Sequence, residues 1–252
     1  MKYLIGDIGN TLTKVSLLDK NFKIIKIMNL ETKKINEIKF MKIFFQKLLK
    51  KNTNKKILFS SVVPITYKKI KSYLKKKKYY VFEIKELKIK KMIRFNIDKF
   101  NQLGSDRIAN SIGSLAHYNT NCLIIDFGTA TTFDIIKKNK VYEGGVIAPG
   151  IKLSINNLNK STASLPIFKL KSNTKPYGKN TLDALNAGFL WGYQGLINNI
   201  IKKIIFASKT NYKVILTGGY ANFFKKYVNN KSCIDENITI KGIVEVYKRL
   251  LQ

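Results

Sequence analysis

A chain of 252 residues that is 45% hydrophobic can bury a large core, which argues against global disorder and fits one large domain or two halves of about 120 residues. No apolar run approaches the roughly 18 residues of a membrane span, no targeting segment precedes Asp7, and two unpatterned cysteines with a lone histidine fit neither a disulfide framework nor a metal cluster. The net charge of +32 comes almost wholly from lysine, with only Arg94, Arg107 and Arg249 as arginines, and the chain is also rich in Asn and Ile; an AT-rich genome explains this better than a dedicated nucleic-acid surface.

Residues 2–8, 12–18 and 22–28 read as three strands joined by short turns, and the apolar spacing over 35–50 predicts a helix. Ile57-Leu58-Phe59 forms a short buried strand, Pro64 opens a helix over 65–77, and Tyr80-Val81-Phe82 forms another strand. A helix starts at Gly104-Ser105-Asp106-Arg107 and runs to 118, where the boundary between two halves is placed: 1–118 and 119–252. Strands at 121–127, 131–137 and 141–147 repeat the opening meander. The chain then turns helical after Pro149-Gly150 and loops through 160–179. A long helix with Gly188, Gly192 and Gly195 on one side covers 180–206, Val214-Ile215-Leu216 forms a strand, and a helix closes the chain over 239–250.

The repeat carries the chemistry. Asp7-Ile8-Gly9-Asn10-Thr11-Leu12-Thr13 and, 119 residues later, Asp126-Phe127-Gly128-Thr129-Ala130-Thr131-Thr132 each link two strands. A carboxylate, a Gly turn expected at positive φ, exposed N–H groups and small hydroxyls suit a phosphate and its cation. Two such hairpins in matched meanders suggest a duplicated domain clasping a nucleotide between its halves. Lys14 is placed to reach a phosphate, although one solvated lysine among many explains it equally well. Thr217-Gly218-Gly219 follows a strand and suits the adenosine end of the nucleotide. Asp106 at a helix start is the acid–base candidate, expected to face a cleft and to be held ionised by the helix dipole; Arg107 beside it suits a substrate carboxylate. The bland alternative is a helix cap with a surface arginine.

The ordered set DIGNT at 7–11, GSDRIAN at 104–110, DFGTATT at 126–132, GGVIAPG at 144–150, GKNT at 178–181 and TGG at 217–219 resembles the type III pantothenate kinases, of the acetate and sugar kinase, Hsp70 and actin superfamily. The resemblance spans essentially the whole chain. It implies an α/β fold of two duplicated ribonuclease-H-like halves, each a mixed sheet with flanking helices, and ATP-dependent phosphorylation of pantothenate to 4′-phosphopantothenate, the first step of coenzyme A biosynthesis. It implies that residues 7–14 (Asp7, Ile8, Gly9, Asn10, Thr11, Leu12, Thr13, Lys14) and Thr129 hold ATP, joined by Gly218 and Gly219, and that Asp7 helps place Mg²⁺, directly or through water. Gly104, Ser105, Asp106 and Arg107 would bind pantothenate, with Asp106 accepting the proton of its primary hydroxyl. Asp126 would hold a monovalent cation, K⁺ or NH₄⁺, and Thr181 would touch pantothenate from the other subunit of a homodimer. Relatives carry Ala where Ser105 stands, and Tyr followed by Asn-Pro near Arg94-Phe95-Asn96-Ile97-Asp98; Phe95 in place of the Tyr keeps an apolar face for the pantoyl methyls but loses a hydroxyl.

A kinase or phosphatase of the same superfamily with another substrate fits the hairpins but not GSDR and GKNT. A non-catalytic, nucleic-acid-associated regulator fits the charge but not the intact Asp7, Asp106, Arg107 and Asp126. The expected setting is cytoplasmic, with no membrane partner and no specific nucleic acid.

Overall fold

The computed structural model describes residues 1–172 and 175–252. It contains two compact units: Met1–Asn119 with Asn139–Tyr142 and Asn237–Gln252, and Thr120–Lys138 with Glu143–Glu236.

In the first unit β1 (Lys2–Ile8), β2 (Leu12–Leu18) and β3 (Ile24–Glu31) form an antiparallel meander. Beside β1 run β4 (Thr53–Ser61) and β5 (Tyr80–Glu83), both parallel to it, giving the order β3-β2-β1-β4-β5. The helix expected over 35–50 is broken into α1 (Thr32–Ile35) and α2 (Ile38–Gln46). Glu37 is extended there, and the Asn36 side chain bonds back to Thr32 O at 3.1 Å, closing α1. α3 (Pro64–Lys76) follows β4, with the proline in its first turn, where its missing N–H costs nothing. Leu4, Ile8, Val15 and Leu17 of the hairpin bury against Phe45 of α2 and Ile70 of α3. Three 3-10 turns lead on from β5, at Ile84–Glu86, Ile89–Lys91 and Phe100–Gln102, with a two-residue strand, β6 (Arg94–Phe95), among them. α4 (Ser105–Tyr118) ends at Asn119 in the left-handed conformation.

The second unit repeats this plan. β7 (Cys122–Phe127), β8 (Ala130–Lys137) and β9 (Val141–Pro149) are the meander, and β10 (Lys213–Gly218) and β11 (Ser232–Ile234) run parallel beside β7, giving β6-β9-β8-β7-β10-β11, in which the short β6 pairs with the start of β9. α5 (Ile151–Lys160) and α6 (Thr181–Ser208) bury Ile155, Leu190 and Ile197 against Leu123, Ile125 and Phe133. Asn180 caps α6, its side chain accepting the Asp183 N–H at 2.9 Å. The α7 turn (Ala221–Phe224) follows β10. Apart from β6, the two sheets share one strand order, the duplication expected from the paired meanders. No helix among the described residues is long and apolar enough to cross a membrane.

The last helix, α8 (Ile238–Leu250), departs from a simple division at 118/119, because it belongs with the first unit and packs on α4. The approach is backbone to backbone: a Cβ on Gly242 would overlap the carbonyl of Ala109. Thr239 Oγ1 and Asn110 Oδ1 join the helices at 2.7 Å. Helical periodicity shows that α8 has an apolar face but not which half receives it.

The contact fixes the sign of a substitution. Gly242→Ala raises intrinsic helix propensity, which alone would stabilise by about 1 kcal/mol. Overlap with Ala109 reverses this, and the variant is expected to lose about 1–3 kcal/mol in chemical denaturation. A variant as stable as the parent would contradict the close approach.

Candidate active site

The first hairpin brings its expected residues into one turn. Asp7 pairs across the ladder with Lys14 on β2 and lies beside Ser60 of β4. Directly opposed residues of an antiparallel pair share a sheet face, so a carboxylate and an ammonium are neighbours there. Asn10, Thr11 and Leu12 are exposed in the turn, which is closed by Gly9 N–H to Leu12 O at 3.0 Å. Gly9 and Gly128 are not among the glycines with positive φ; those are Gly144 and Gly218. Sequence reasoning placed the unusual backbone in the hairpins, whereas the structure places it within β9 and at the end of β10.

Ile8 and Thr13 are fully buried, so their side chains do not face a ligand in the turn. Thr13 instead belongs to a hydroxyl chain. Thr32 Oγ1 donates to Gly9 O at 2.6 Å, which uses its one proton, so the 3.1 Å bond between Thr13 Oγ1 and Thr32 Oγ1 is donated by Thr13. Thr32 N–H also bonds Thr11 O at 2.9 Å. Thr32, at the start of α1, therefore braces both sides of the turn. Nothing in the sequence marked it, because a threonine 23 residues beyond Gly9 has no local signature.

The second site in this unit lies at the start of α4. Ser105 is the first helical residue after Gly104, and Asp106 folds back over the helix end: Oδ1 accepts the Arg107 N–H at 2.8 Å, and a Cβ on Gly104 would overlap that oxygen. This close approach is the physical reason for a glycine before the Ser-Asp-Arg triplet. Solvent reaches part of residue 106, yet its carboxyl is deeply enclosed, and burial pushes its pKa above the ordinary carboxylate value. The Arg107 N–H and guanidinium, the backbone N–H of Asp106 and the Lys85 ammonium oppose that rise without cancelling it. Against the expectation that the helix end favours the ionised Asp106, desolvation acts the other way and is the larger effect, so the pKa is raised rather than lowered.

Arg107 lies 5.9 Å from the centre of the Tyr142 ring. Phe95, from β6, pairs with Tyr142 in the strand ladder, and its ring lies 6.0 Å from Tyr142 and 4.7 Å from Phe100. Phe95 is thus part of an aromatic wall next to the arginine. Tyr142 was not singled out from the sequence, since one aromatic in a buried strand carries no functional mark.

In the second unit, Asp126 ends β7 opposite Thr132 on β8 and Thr217 on β10, while Gly128 and Thr129 are exposed in the turn. Gly218 has φ +84°, and a Cβ there would lie 2.6 Å from both Asp126 Oδ1 and Phe127 O. The Thr217-Gly218-Gly219 turn and the second hairpin are therefore one site, with two oxygens flanking one small volume. Gly219 N–H bonds Phe127 O at 3.0 Å. Thr181 is the exposed first residue of α6 and lines an apolar groove of ≈ 530 Å³ with Leu158, Leu185, Phe189 and the Gly188–Gly192 face. Beyond the backbone of α6 itself, no heavy atom of the described residues comes within 4 Å of a Cβ built on Gly188, Gly192 or Gly195.

Oxygen donors of this kind fit hard cations. Among the described residues no three His, Cys, Asp or Glu side chains converge. A cation at Asp7 would then draw its remaining ligands from phosphate and water, as Mg²⁺ does on a nucleotide. Asp126 Oδ1 and Phe127 O both lie close to Gly218, and Phe127 O accepts the Gly219 N–H.

The brace on the first hairpin gives a direct test. Thr32→Val keeps the shape and removes both hydroxyl bonds, and is expected to weaken ATP binding about tenfold, as about 1.4 kcal/mol of lost turn order would. Unchanged affinity in calorimetry would show that the turn holds itself.

Comparison with known proteins bears on the family of the chain. The family model described as type III pantothenate kinase matches residues 3–203. The type III pantothenate kinase of Pelagibacter ubique (strain HTCC1062) is 43% identical over 242 residues, covering 96% of each chain. That of Sulfurihydrogenibium sp. (strain YO3AOP1) is 35% identical over 251 residues, covering 95% of this chain and 97% of its own. Among solved structures, a conserved protein assigned to the Baf family of transcriptional activators from Campylobacter jejuni superposes with a TM-score of 0.62 at 23% identity, covering 97% of both chains. The inorganic polyphosphate/ATP-glucomannokinase of Arthrobacter sp. strain KM gives 0.52 at 11% identity, covering 98% and 99%. These two likenesses concern the fold alone and agree with duplicated ribonuclease-H-like halves. At this identity and coverage, the chain belongs to the type III pantothenate kinase family.

Proposed function

We propose that this chain phosphorylates pantothenate with ATP, giving 4′-phosphopantothenate and ADP at the first step of coenzyme A biosynthesis. Family membership supports the reaction. The observation that carries the mechanism is the enclosed Asp106 carboxyl beside Arg107 and an aromatic wall.

The pantothenate carboxylate pairs with the Arg107 guanidinium, whose planar fork matches it bidentately. Phe95 supplies an apolar surface for the pantoyl methyls. The primary hydroxyl attacks the γ-phosphorus, the bond from that phosphorus to the bridging oxygen breaks, ADP departs, and the hydroxyl proton passes to Asp106. A carboxyl whose pKa is raised by burial is a better proton acceptor than an ordinary aspartate, provided it is ionised at working pH. The N–H groups of the first hairpin turn, with Asn10, Thr11 and Lys14, hold the phosphates, and the Gly218–Gly219 turn and Thr129 hold the rest of the nucleotide. Mg²⁺ at Asp7 would neutralise phosphate charge. K⁺ or NH₄⁺ at Asp126 would do the same at the second hairpin.

A homodimer completes the reading. The groove along α6 is apolar, and among the described residues nothing beyond α6 itself covers its glycine face. A second copy packed there places Thr181 near pantothenate. The enzyme is cytoplasmic in this reading, with no specific nucleic-acid or membrane partner.

Asp106→Asn is expected to cut turnover by about two to four orders of magnitude in a coupled assay with ATP, Mg²⁺, K⁺ and pantothenate. The same variant should melt higher than the parent at neutral pH. A raised folded pKa contributes stability that is present in acid and lost as pH rises through the folded value, and Asn removes the buried charge responsible. Near-normal turnover would remove the assigned role. Gly192→Arg, which puts a charge into the groove, should convert the dimer to monomer in sedimentation. A parent chain that is monomeric and fully active would end the dimer reading.

A further inference from the structure

We infer that Tyr193 positions the second hairpin for ATP: its hydroxyl pins the Pro149–Gly150 peptide, and Gly150 is the surface against which the Gly128–Thr129 turn rests. This builds on the reading of that turn as part of the ATP site. It gives a task to the GGVIAPG segment at 144–150, which the phosphoryl transfer itself does not use.

Gly150 stands between the end of β9 and the first turn of α5, with φ −78° and ψ 147°. That is extended backbone open to any residue, so conformation does not call for a glycine. Space does. A Cβ there would overlap the Thr129 carbonyl and lie 2.8 Å from Gly128 O. Both carbonyl oxygens of the turn therefore lie against residue 150. A trans peptide carries its C=O and N–H on opposite sides, and the described residues include no cis bond. The contact thus turns the Thr129 and Ala130 N–H groups away from Gly150. The turn is closed by Gly128 N–H to Ala130 O at 3.1 Å, and Gly128 and Thr129 are exposed. Backbone N–H groups that are to hold a phosphate must point one way and stay there. Gly150 supplies the wall behind them.

That wall is fixed from α6. Tyr193 is 8% exposed, and its ring stacks on that of Phe189 with centres 6.1 Å apart. The Tyr193 hydroxyl donates to Pro149 O at 3.2 Å, the carbonyl of the peptide that leads into Gly150. A phenol has one proton, so the 2.7 Å bond between Tyr193 and Ser154 Oγ is donated by the serine. Ser154, in the first turn of α5, also donates its N–H to Gly150 O at 2.9 Å. Pro149, Gly150, Ser154 and Tyr193 form a closed ring of bonds that ties the start of α5 to α6 directly behind the hairpin. Loss of the phenol hydroxyl would free the Pro149–Gly150 peptide to shift, and the turn resting on it would shift too.

The test is steady-state kinetics with each substrate varied in turn, in Tyr193→Phe, Ser154→Ala, Gly150→Ala and Thr129→Ala, beside thermal melting. Tyr193→Phe keeps the ring and loses the bond to Pro149 O. It should raise KM for ATP about fivefold and leave KM for pantothenate within about twofold of the parent's. Ser154→Ala is the control for stability, because it removes a bond at the same phenol oxygen but spares the one to Pro149. It should lower the melting temperature as Tyr193→Phe does and leave KM for ATP within about twofold. Gly150→Ala should raise KM for ATP further than Tyr193→Phe, since its methyl meets the turn itself. Parental KM for ATP in Tyr193→Phe, or an equal rise in Ser154→Ala, beside a Thr129→Ala variant weakened for ATP, overturns this inference and leaves the second hairpin in the ATP site. Parental KM for ATP in Thr129→Ala overturns the reading beneath it, and the inference falls with it.

Discussion

The structure turns on a conflict at one carboxyl. Enclosure favours protonated Asp106, while the free N–H groups of a helix start and two nearby cations favour the anion. Enclosure wins in part. In the proposed mechanism this is a place where stability yields to chemistry, since a fold selected only for stability would favour an uncharged group there. Gly104 supports it by leaving room for the side chain to fold back. The Gly242 contact supports it from farther off, because the close approach of α8 holds the helix that bears Asp106.

Duplication explains the rest of the layout. Apart from β6, both sheets run in the same strand order, and both present a carboxylate near the end of the first meander strand. The copies have since diverged. The first turn is braced from outside by the Thr13–Thr32–Gly9 chain of bonds. The second is backed by the Gly218 turn of its own sheet. One hairpin plan is thus stiffened in two ways, and each way leaves the turn hydroxyls exposed.

Much of this was legible in the sequence, for identifiable reasons. Alternation and turn residues gave both meanders, since period-two burial is a local signal that needs no partner. The paired Asp-Gly turns gave both hairpins, and Gly104-Ser105-Asp106-Arg107 gave a helix start. What stayed hidden depends on distant pairing. The strand at Arg94–Phe95 exists only because Val141–Tyr142 pair with it. β11 at Ser232–Ile234 likewise exists by pairing with β10. The destination of α8 is set by glycines on two helices more than a hundred residues apart in the chain. Thr32 has no motif because it acts through the residues it touches. The sign of the Asp106 shift was hidden too, since a helix start predicts one direction and enclosure, visible only in three dimensions, imposes the other.

The most direct measurement is a carboxyl carbon NMR titration of the folded protein, with the Asp106 resonance assigned by its loss in Asp106→Asn. The account predicts that Asp106 titrates above the ordinary aspartate value of about 3.9. A titration at or below that value would show a carboxyl held as a stabilised anion, contradicting its description as an enclosed proton acceptor.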